Sequence, residues 1–246
     1  LVANGYAEVV LTGVDITAYG SDLPGRPSLG QLLRRLLRAV PELPRLRLSS
    51  LDAVEIDAEL ERLLLGEERL MPHLHLSLQA GDDLVLKRMA RRHSRAQAVE
   101  LCQRLRAGRP DMVFGADLIA GFPTETEAQF QNSLALIDDC GLTYLHVFPY
   151  SERPGTPAAR MPQVPGHERR RRAALLREKG AAALSGFLAG QVGNSSRVLL
   201  ERPGQGRSEQ FALIQLEQTA TLPENGIVTV DIIEAAENHL IGRLAA

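Results

Sequence analysis

Val113-Phe114-Gly115-Ala116-Asp117-Leu118-Ile119-Ala120-Gly121-Phe122-Pro123-Thr124-Glu125 is the stretch on which the fold turns. Val113–Ile119 is apolar apart from Gly115 and Asp117, as a parallel strand buried on both faces must be. A Gly-Phe-Pro turn ends it, and the 3.6-residue period of Glu125–Cys140 predicts a helix. Leu145–Phe148 then reads as the next strand, which completes a β-α-β unit. Two readings of the turn hold together. Thr124 and Glu127 have the spacing of a capping box. That leaves Gly115 and Gly121 unexplained, and a glycine-bearing strand end also offers a flat backbone edge to an adenine ring.

The same alternation runs upstream. Glu8–Val14, Leu46–Leu51 and Leu74–Leu78 are further strand candidates. Leu29–Val40, Asp57–Leu65, Asp82–Met89 and Ser94–Leu105 are helix candidates, with Asp57 and Ser94 as N-caps. Repeated β-α units with parallel strands predict an α/β barrel or a doubly wound sheet. After Ser151 the texture changes. Glu152–Gly166 carries four prolines and reads as an ordered loop, and a basic helix with Arg169–Arg172 follows. From Gln191 the pattern is all-β: Arg197–Glu201, Phe211–Leu216, Ile227–Ile233 and Leu240–Leu244 are separated by turn-rich stretches such as Pro203-Gly204-Gln205-Gly206. This predicts a barrel of about five short strands.

The chain has 246 residues, enough for one large domain and a small one, and its net charge of −2 excludes a wholesale basic protein. No apolar run approaches the roughly 18 residues of a membrane span. Two cysteines, Cys102 and Cys140, make no disulfide framework and point to a reducing, cytoplasmic compartment; both read as packing residues. The start at Leu1-Val2-Ala3, without Met and running at once into a strand, reads as the interior of a longer protein.

In α/β folds ligands bind at the carboxyl ends of the strands. Here those ends are Thr12–Asp15, Ser49–Asp52, Ser77–Gly81, Asp117–Pro123 and Phe148–Ser151, all polar or glycine-bearing, whereas the strand starts are mostly apolar. Gln79 and Arg91 form a second constellation: a strand-end amide, then an arginine on the following basic helix able to fork onto a carboxylate. Lys87, Arg88, Arg91, Arg92 and Arg95 taken singly suit a solvated helix face, but their repetition points to a phosphate or carboxylate role for at least one. His73 and His75 share a strand face; a metal would need further ligands, so both read as hydrogen-bonded core histidines.

Ser77–Asp83 with Leu86–His93, Ala120–Thr126, and Phe148–Ser151 with Arg153–Ala158 resemble consecutive segments of the radical S-adenosylmethionine tRNA methylthiotransferase family. Leu11–Thr17 and Arg47–Asp52 are most similar to its MtaB branch, and Glu237–Gly242 is similar to a TRAM domain. The resemblance implies a partial (βα)6 barrel over 1–164 that lacks its first strand and cluster loop. A basic helical linker over 165–190 and a small all-β TRAM-like barrel over 191–246 complete it. It implies addition of a methylthio group to carbon 2 of N6-threonylcarbamoyladenosine at tRNA position 37. In that chemistry a 4Fe-4S cluster reduces S-adenosylmethionine to release a 5′-deoxyadenosyl radical, and a second, upstream cluster supplies sulfur. S-adenosylmethionine would be held by Gly13, Asp15, Ser50, Gln79, Arg91, Ile119, Gly121 and Phe148, with Gly13 and Asp15 at the methionine amino group. The implied partners are the tRNA anticodon arm and a flavodoxin-type electron donor, with no membrane. Arg88, Arg92, Arg95, Arg169 and Arg172 are the phosphate candidates.

Two departures qualify this. No Cys-x-x-x-Cys-x-x-Cys exists, so no metal ligands for the cluster are present in the chain. The tail carries four arginines against seven acids, the wrong balance for the main RNA grip. Three further readings stay open. One is a sister methylthiotransferase acting on isopentenyladenosine or a ribosomal protein. The others are a non-catalytic tRNA-binding remnant and an α/β-barrel hydrolase built on Asp15, Asp52 and Asp117.

Overall fold

A computed structural model describes residues 1–217 and 226–245; Glu224, one of the seven tail acids, lies outside them. Five parallel strands stand in chain order: β1 (Glu8–Leu11), β2 (Arg45–Leu48), β3 (His73–Gln79), β4 (Val113–Ala120) and β5 (Leu142–Pro149). Single bridges at Leu46–Leu70 and Leu51–Leu76 join β2 to β3. The order never reverses, so the wall curves one way, as a barrel does; a doubly wound sheet needs a switch point. Between the strands lie α1 (Leu29–Ala39), α2 (Ala58–Gly66), α3 (Asp83–Arg88), α4 (Arg95–Gly108) and α5 (Glu127–Cys140). Their apolar faces bury Leu33, Leu60, Leu105 and Phe130 against Leu46, Leu74 and Phe114 of the strands. Each such side chain contributes about 1.5–3 kcal/mol of transfer free energy.

Local chemistry sets the helix starts. Asp57 accepts from the Glu59 and Leu60 amides, and Ser94 forms a reciprocal capping box with Gln97. The capping box of α5 is Thr126 with Gln129, not Thr124 with Glu127. Thr124 has φ 66° and donates its amide to the Pro162 carbonyl, so the chain is still outside helical space there.

A long helix, α6 (Gly166–Ala189), follows the proline-rich loop. It is no free spacer: Ala173 and Leu176 belong to the barrel core, whereas Leu184, Phe187 and Leu188 pack into the core of the tail. The tail is a closed barrel of β6 (Ser195–Arg202), β7 (Gln205–Ser208), β8 (Leu213–Leu216), β9 (Ile227–Ala235) and β10 (Leu240–Leu244). Its fifth strand, β7, comes from the stretch read as a turn. Only Pro203 and Gly204 turn; Gly206 is already paired with Leu200, where a Cβ would lie 2.1 Å from the Leu199 carbonyl oxygen. The tail docks through β6 and the β7–β8 segment on the amino ends of the half-barrel strands. Arg45 donates to the Arg197 carbonyl at 2.8 Å, Arg47 to that of Glu209 at 3.2 Å, and the Tyr144 hydroxyl to that of Gln210 at 3.1 Å. Arg45 is fully buried, and this burial depresses its pKa; backbone carbonyls of Arg197 and Arg207 take up its two terminal nitrogens, while its Nε has no partner among the described residues.

Candidate functional site

The carboxyl ends of β3, β4 and β5 frame a cleft of about 520 Å³ lined by Gln79, Asp117, Ile119, Phe148, Tyr150 and Arg153. Three local devices shape it. The β3–β4 register slips between Leu76 and Gln79, and Gln79 takes φ 66°, which turns the chain sharply at the strand end. Gly121 (φ 74°) follows β4; its amide donates to Glu125 Oε2 at 2.9 Å, and a Cβ there would lie 2.5 Å from Cγ of Arg169. Gly121 is thus needed both for its dihedral and for the close pass of α6. Beyond β5, the Tyr150 amide donates to the Ala120 carbonyl, and its ring meets Phe122 edge-to-face at 5.4 Å. Phe148 presents a half-exposed aromatic face.

Where the cleft adjoins a smaller cavity its lining is polar. Asp117 Oδ1 lies 3.0 Å from His75 Nε2 and 3.2 Å from His146 Nδ1. Burial works to raise the Asp117 pKa, but the two imidazoles outweigh it and hold the carboxyl below its ordinary range. Gly115 has its explanation here, since a Cβ on it would come 2.6 Å from His75 Nδ1. His146 is the member of this triad that the sequence does not single out. Its signal was parity: it precedes Phe148 by two, as Asp117 precedes Ile119. His75 is hydrogen-bonded as expected. His73 is not: neither ring nitrogen has a partner among the described residues, and the ring stacks on Phe211 at 5.0 Å. Burial pushes its pKa down to about 3, so it is a neutral aromatic plate under the tail.

The other candidates scatter. Gln79, Ile119 and Phe148 line the cleft and Gly121 adjoins it. Gly13 and Asp15 lie on the exposed loop after β1, where Asp15 accepts from Thr17 and Ala18; Ser50 lines a second, smaller cavity. Arg91 is not on a helix, because α3 ends at Arg88. Its Nη2 donates to Asp52 Oδ2 at 3.1 Å and to the Ser77 carbonyl at 2.7 Å, a tie across the back of the β3 end. Of the hydrolase candidates, Asp15 accepts from Thr17, Asp52 pairs with Arg91, and Asp117 lies against two imidazoles.

The phosphate candidates are mostly engaged. Arg92 pairs with Glu55, Arg95 with Asp139, and Arg169 donates to the Tyr150 carbonyl. Arg88 reaches the Thr124 carbonyl at 3.5 Å. Arg172 leaves the surface altogether: it is buried, with Nη1 2.8 Å from the buried Glu125 carboxylate. A buried, neutralised guanidinium cannot meet a phosphate. Arg153, Arg160 and Arg170, the last within the basic stretch Arg169–Arg172, are exposed and have no carboxylate partner among the described residues, and Arg153 lines the cleft.

The cleft suits an adenosyl group: its volume lies within the roughly 300–1,000 Å³ of small-ligand sites, with apolar walls and few polar groups. The chain does not suit an iron–sulfur cluster. Cys102 on α4 and Cys140 on α5 are both fully buried, and hydrogen bonding to Cys140, with burial, raises the Cys102 thiol far above its usual pKa. Two buried thiols cannot ligate a 4Fe-4S cluster. The chain alone is expected to stay colourless after anaerobic incubation with iron and sulfide. Iron analysis giving about four irons per chain, with cluster absorbance, would overturn this.

Residues 1–137 match the family model described as the Radical SAM superfamily. Threonylcarbamoyladenosine tRNA methylthiotransferase MtaB of Rickettsia prowazekii is 55% identical over 98% of this chain and 56% of its own length. The tRNA-2-methylthio-N(6)-dimethylallyladenosine synthase of Erythrobacter litoralis is 39% identical over 99% of this chain and 56% of its own length. The chain thus spans a little over half the length of these curated relatives. Among solved structures, coproporphyrinogen III oxidase (HemN) from Escherichia coli shares the fold, with a TM-score of 0.51 at 17% identity over 75% of this chain and 40% of that one. A one-way parallel half-barrel, a ligand cleft at its carboxyl ends and a family match over more than half the sequence place this chain in the radical SAM superfamily.

Proposed function

We propose that the chain is the S-adenosylmethionine-binding and tRNA-facing part of a methylthiotransferase acting on carbon 2 of N6-threonylcarbamoyladenosine at tRNA position 37. The observation that carries this is the 55% identity, sustained over 98% of the chain, to a relative bearing that activity in its name. S-adenosylmethionine with a reduced 4Fe-4S cluster supplies the radical chemistry when bound. The ligands of that cluster, and of a second one that supplies sulfur, lie outside this chain.

The chain's own residues bind and orient. Ile119 and Phe148 wall the adenine, Gly121 keeps the strand end flat against it, and Gln79 is placed by its turn to hydrogen-bond the nucleoside. Gly13, Asp15 and Ser50 are assigned to the methionine end. Arg91, already tied to Asp52 and Ser77, is assigned the positioning of the β3 end; the carboxylate fork expected of it is given up. Arg153, Arg160 and Arg170 are assigned to the phosphates of the anticodon arm, beside Arg88, Arg92, Arg95 and Arg169, whose side chains have other partners. The tail, TRAM-like in Glu237–Gly242, adds contact area with little net attraction. A flavodoxin-type reductant and a cytoplasmic setting complete the proposal; no helix among the described residues is long and apolar enough to cross a membrane.

The second reading is the dimethylallyladenosine activity named in the 39% identical relative. One experiment decides. The full-length protein is expressed in a bacterium lacking its own methylthiotransferases, and its tRNA nucleosides are analysed by mass spectrometry. We expect the methylthio derivative of threonylcarbamoyladenosine. The dimethylallyl derivative alone would establish the second reading, and neither product would overturn both.

A further inference from the structure

Where the cleft adjoins the smaller cavity there is more than a hydrogen-bonded triad. His75, Asp117 and His146 come from three neighbouring strands, β3, β4 and β5, and each offers one ligand atom. All three atoms lie within 4.8 Å of one another. The sequence supplied only His73 and His75, too few for a metal, and His73 takes no part. The fold adds Asp117 and His146, because alternate residues of adjacent parallel strands face the same side and the β4–β5 register sets Asp117 beside His146.

The spacing fits a coordination polyhedron as well as it fits hydrogen bonds. With metal–ligand bonds of about 2.1 Å, neighbouring vertices of an octahedron or tetrahedron lie roughly 3.0–3.4 Å apart. The two nitrogen–oxygen separations in the structure are 3.0 and 3.2 Å, both to Asp117 Oδ1. The imidazole rings lie tilted, with centroids 4.6 Å apart, so both nitrogens reach the carboxylate from one side. Space has been made for this: the missing Cβ of Gly115 is what admits the His75 ring. The ligand set grades from the buried His75 to the exposed His146, and Asp117 opens on the upper cleft, which leaves room for further ligands. Two imidazoles and one carboxylate with open positions are a set suited to borderline first-row divalent metals, not to Mg²⁺ or Ca²⁺.

We propose that His75, Asp117 and His146 bind one divalent transition-metal ion of the zinc, cobalt or iron(II) type where the cleft adjoins the second, smaller cavity. This site is separate from any iron–sulfur cluster, since it uses no thiolate, and it does not depend on which nucleoside the protein modifies.

The probe is Co²⁺, added anaerobically to the metal-free chain and followed by its visible d–d absorbance and by equilibrium dialysis. We expect one Co²⁺ per chain. Removing a second-shell group typically weakens a metal site about 10- to 100-fold, so losing a ligand in His146→Ala or Asp117→Asn should weaken binding at least about tenfold. His146 is largely exposed, so His146→Ala should retain the fold, as circular dichroism will show. His167→Ala and His239→Ala are controls expected to bind as wild type does. Zn²⁺ should compete for the same site. Equal Co²⁺ affinity in wild type and His146→Ala, or loss of binding in either control, would overturn the site and leave the triad as a hydrogen-bonded strut.

Discussion

Arg172→Met is expected to lower the free energy of unfolding by about 3–5 kcal/mol, the usual result of removing one partner of a buried ion pair. Arg172 Nη1 lies 2.8 Å from Glu125 Oε2 and 2.9 Å from the Glu125 carbonyl, and both side chains are buried. Its Nε also bonds Glu168 at 2.8 Å, and its guanidinium stands 5.4 Å from the Phe130 ring centre. The methionine keeps much of the apolar contact, so the loss reports on charge. Burial already raises the Glu125 pKa against the opposing pull of Arg172 and the Gly121 amide. A carboxyl whose folded pKa lies above its unfolded one stabilises the fold below the unfolded value, and that contribution is lost as pH rises through the folded value. Without Arg172 the folded pKa climbs further. The deficit of Arg172→Met relative to wild type should therefore shrink between about pH 8 and pH 5. Adding Glu125→Gln should restore part of the stability at the higher pH, because no bare charge is then buried. Urea titrations at the two pH values measure all of this. A deficit independent of pH would mean that packing, not the orphaned carboxylate, sets the cost.

The second large effect concerns tRNA. The Arg153→Ala, Arg160→Ala, Arg170→Ala triple variant is expected to reduce the slope of log affinity against log salt by about two to three for an anticodon-arm RNA. Each phosphate contact contributes roughly 0.7–0.9 to that slope through counterion release. Between about 50 and 200 mM salt this shrinks the loss of affinity by a factor on the order of 20–40. The warrant is electrostatic: these three guanidiniums are exposed and free of carboxylates among the described residues, so their attraction for phosphate is not already neutralised. Arg92 and Arg95 are bound to Glu55 and Asp139, so Arg92→Ala with Arg95→Ala should leave the slope nearly unchanged. Fluorescence anisotropy over a salt series reads both. An unchanged slope in the triple variant, or a large drop in the Arg92/Arg95 pair, would return the RNA face to the α3–α4 connection.

Much of this protein is legible in the sequence, because strands and helices buried on a shared core leave local periodic traces. Val113–Ile119, Leu74–Leu78 and the period of Glu125–Cys140 fix the β-α alternation, and Asp57 and Ser94 announce their helices. The strand ends that carry Gln79, Ile119 and Phe148 could be nominated for a ligand site from their place in that alternation, and the family resemblance singled out Ile119 and Phe148 within them. Three decisions belong to tertiary structure. Which arginines are free depends on acids distant in sequence: Arg172 meets Glu125 and Arg95 meets Asp139 only after α4, α5 and α6 pack. The triad of His75, Asp117 and His146 needs the lateral register of three strands, to which a one-dimensional pattern is blind. Gly206 reads as a turn residue because glycine is common in turns, yet it sits in a strand because the tail barrel closes too tightly there for a Cβ. Periodicity and capping are encoded over a few residues, whereas charge pairing, register and close backbone approach are set by segments that meet only when the chain is folded.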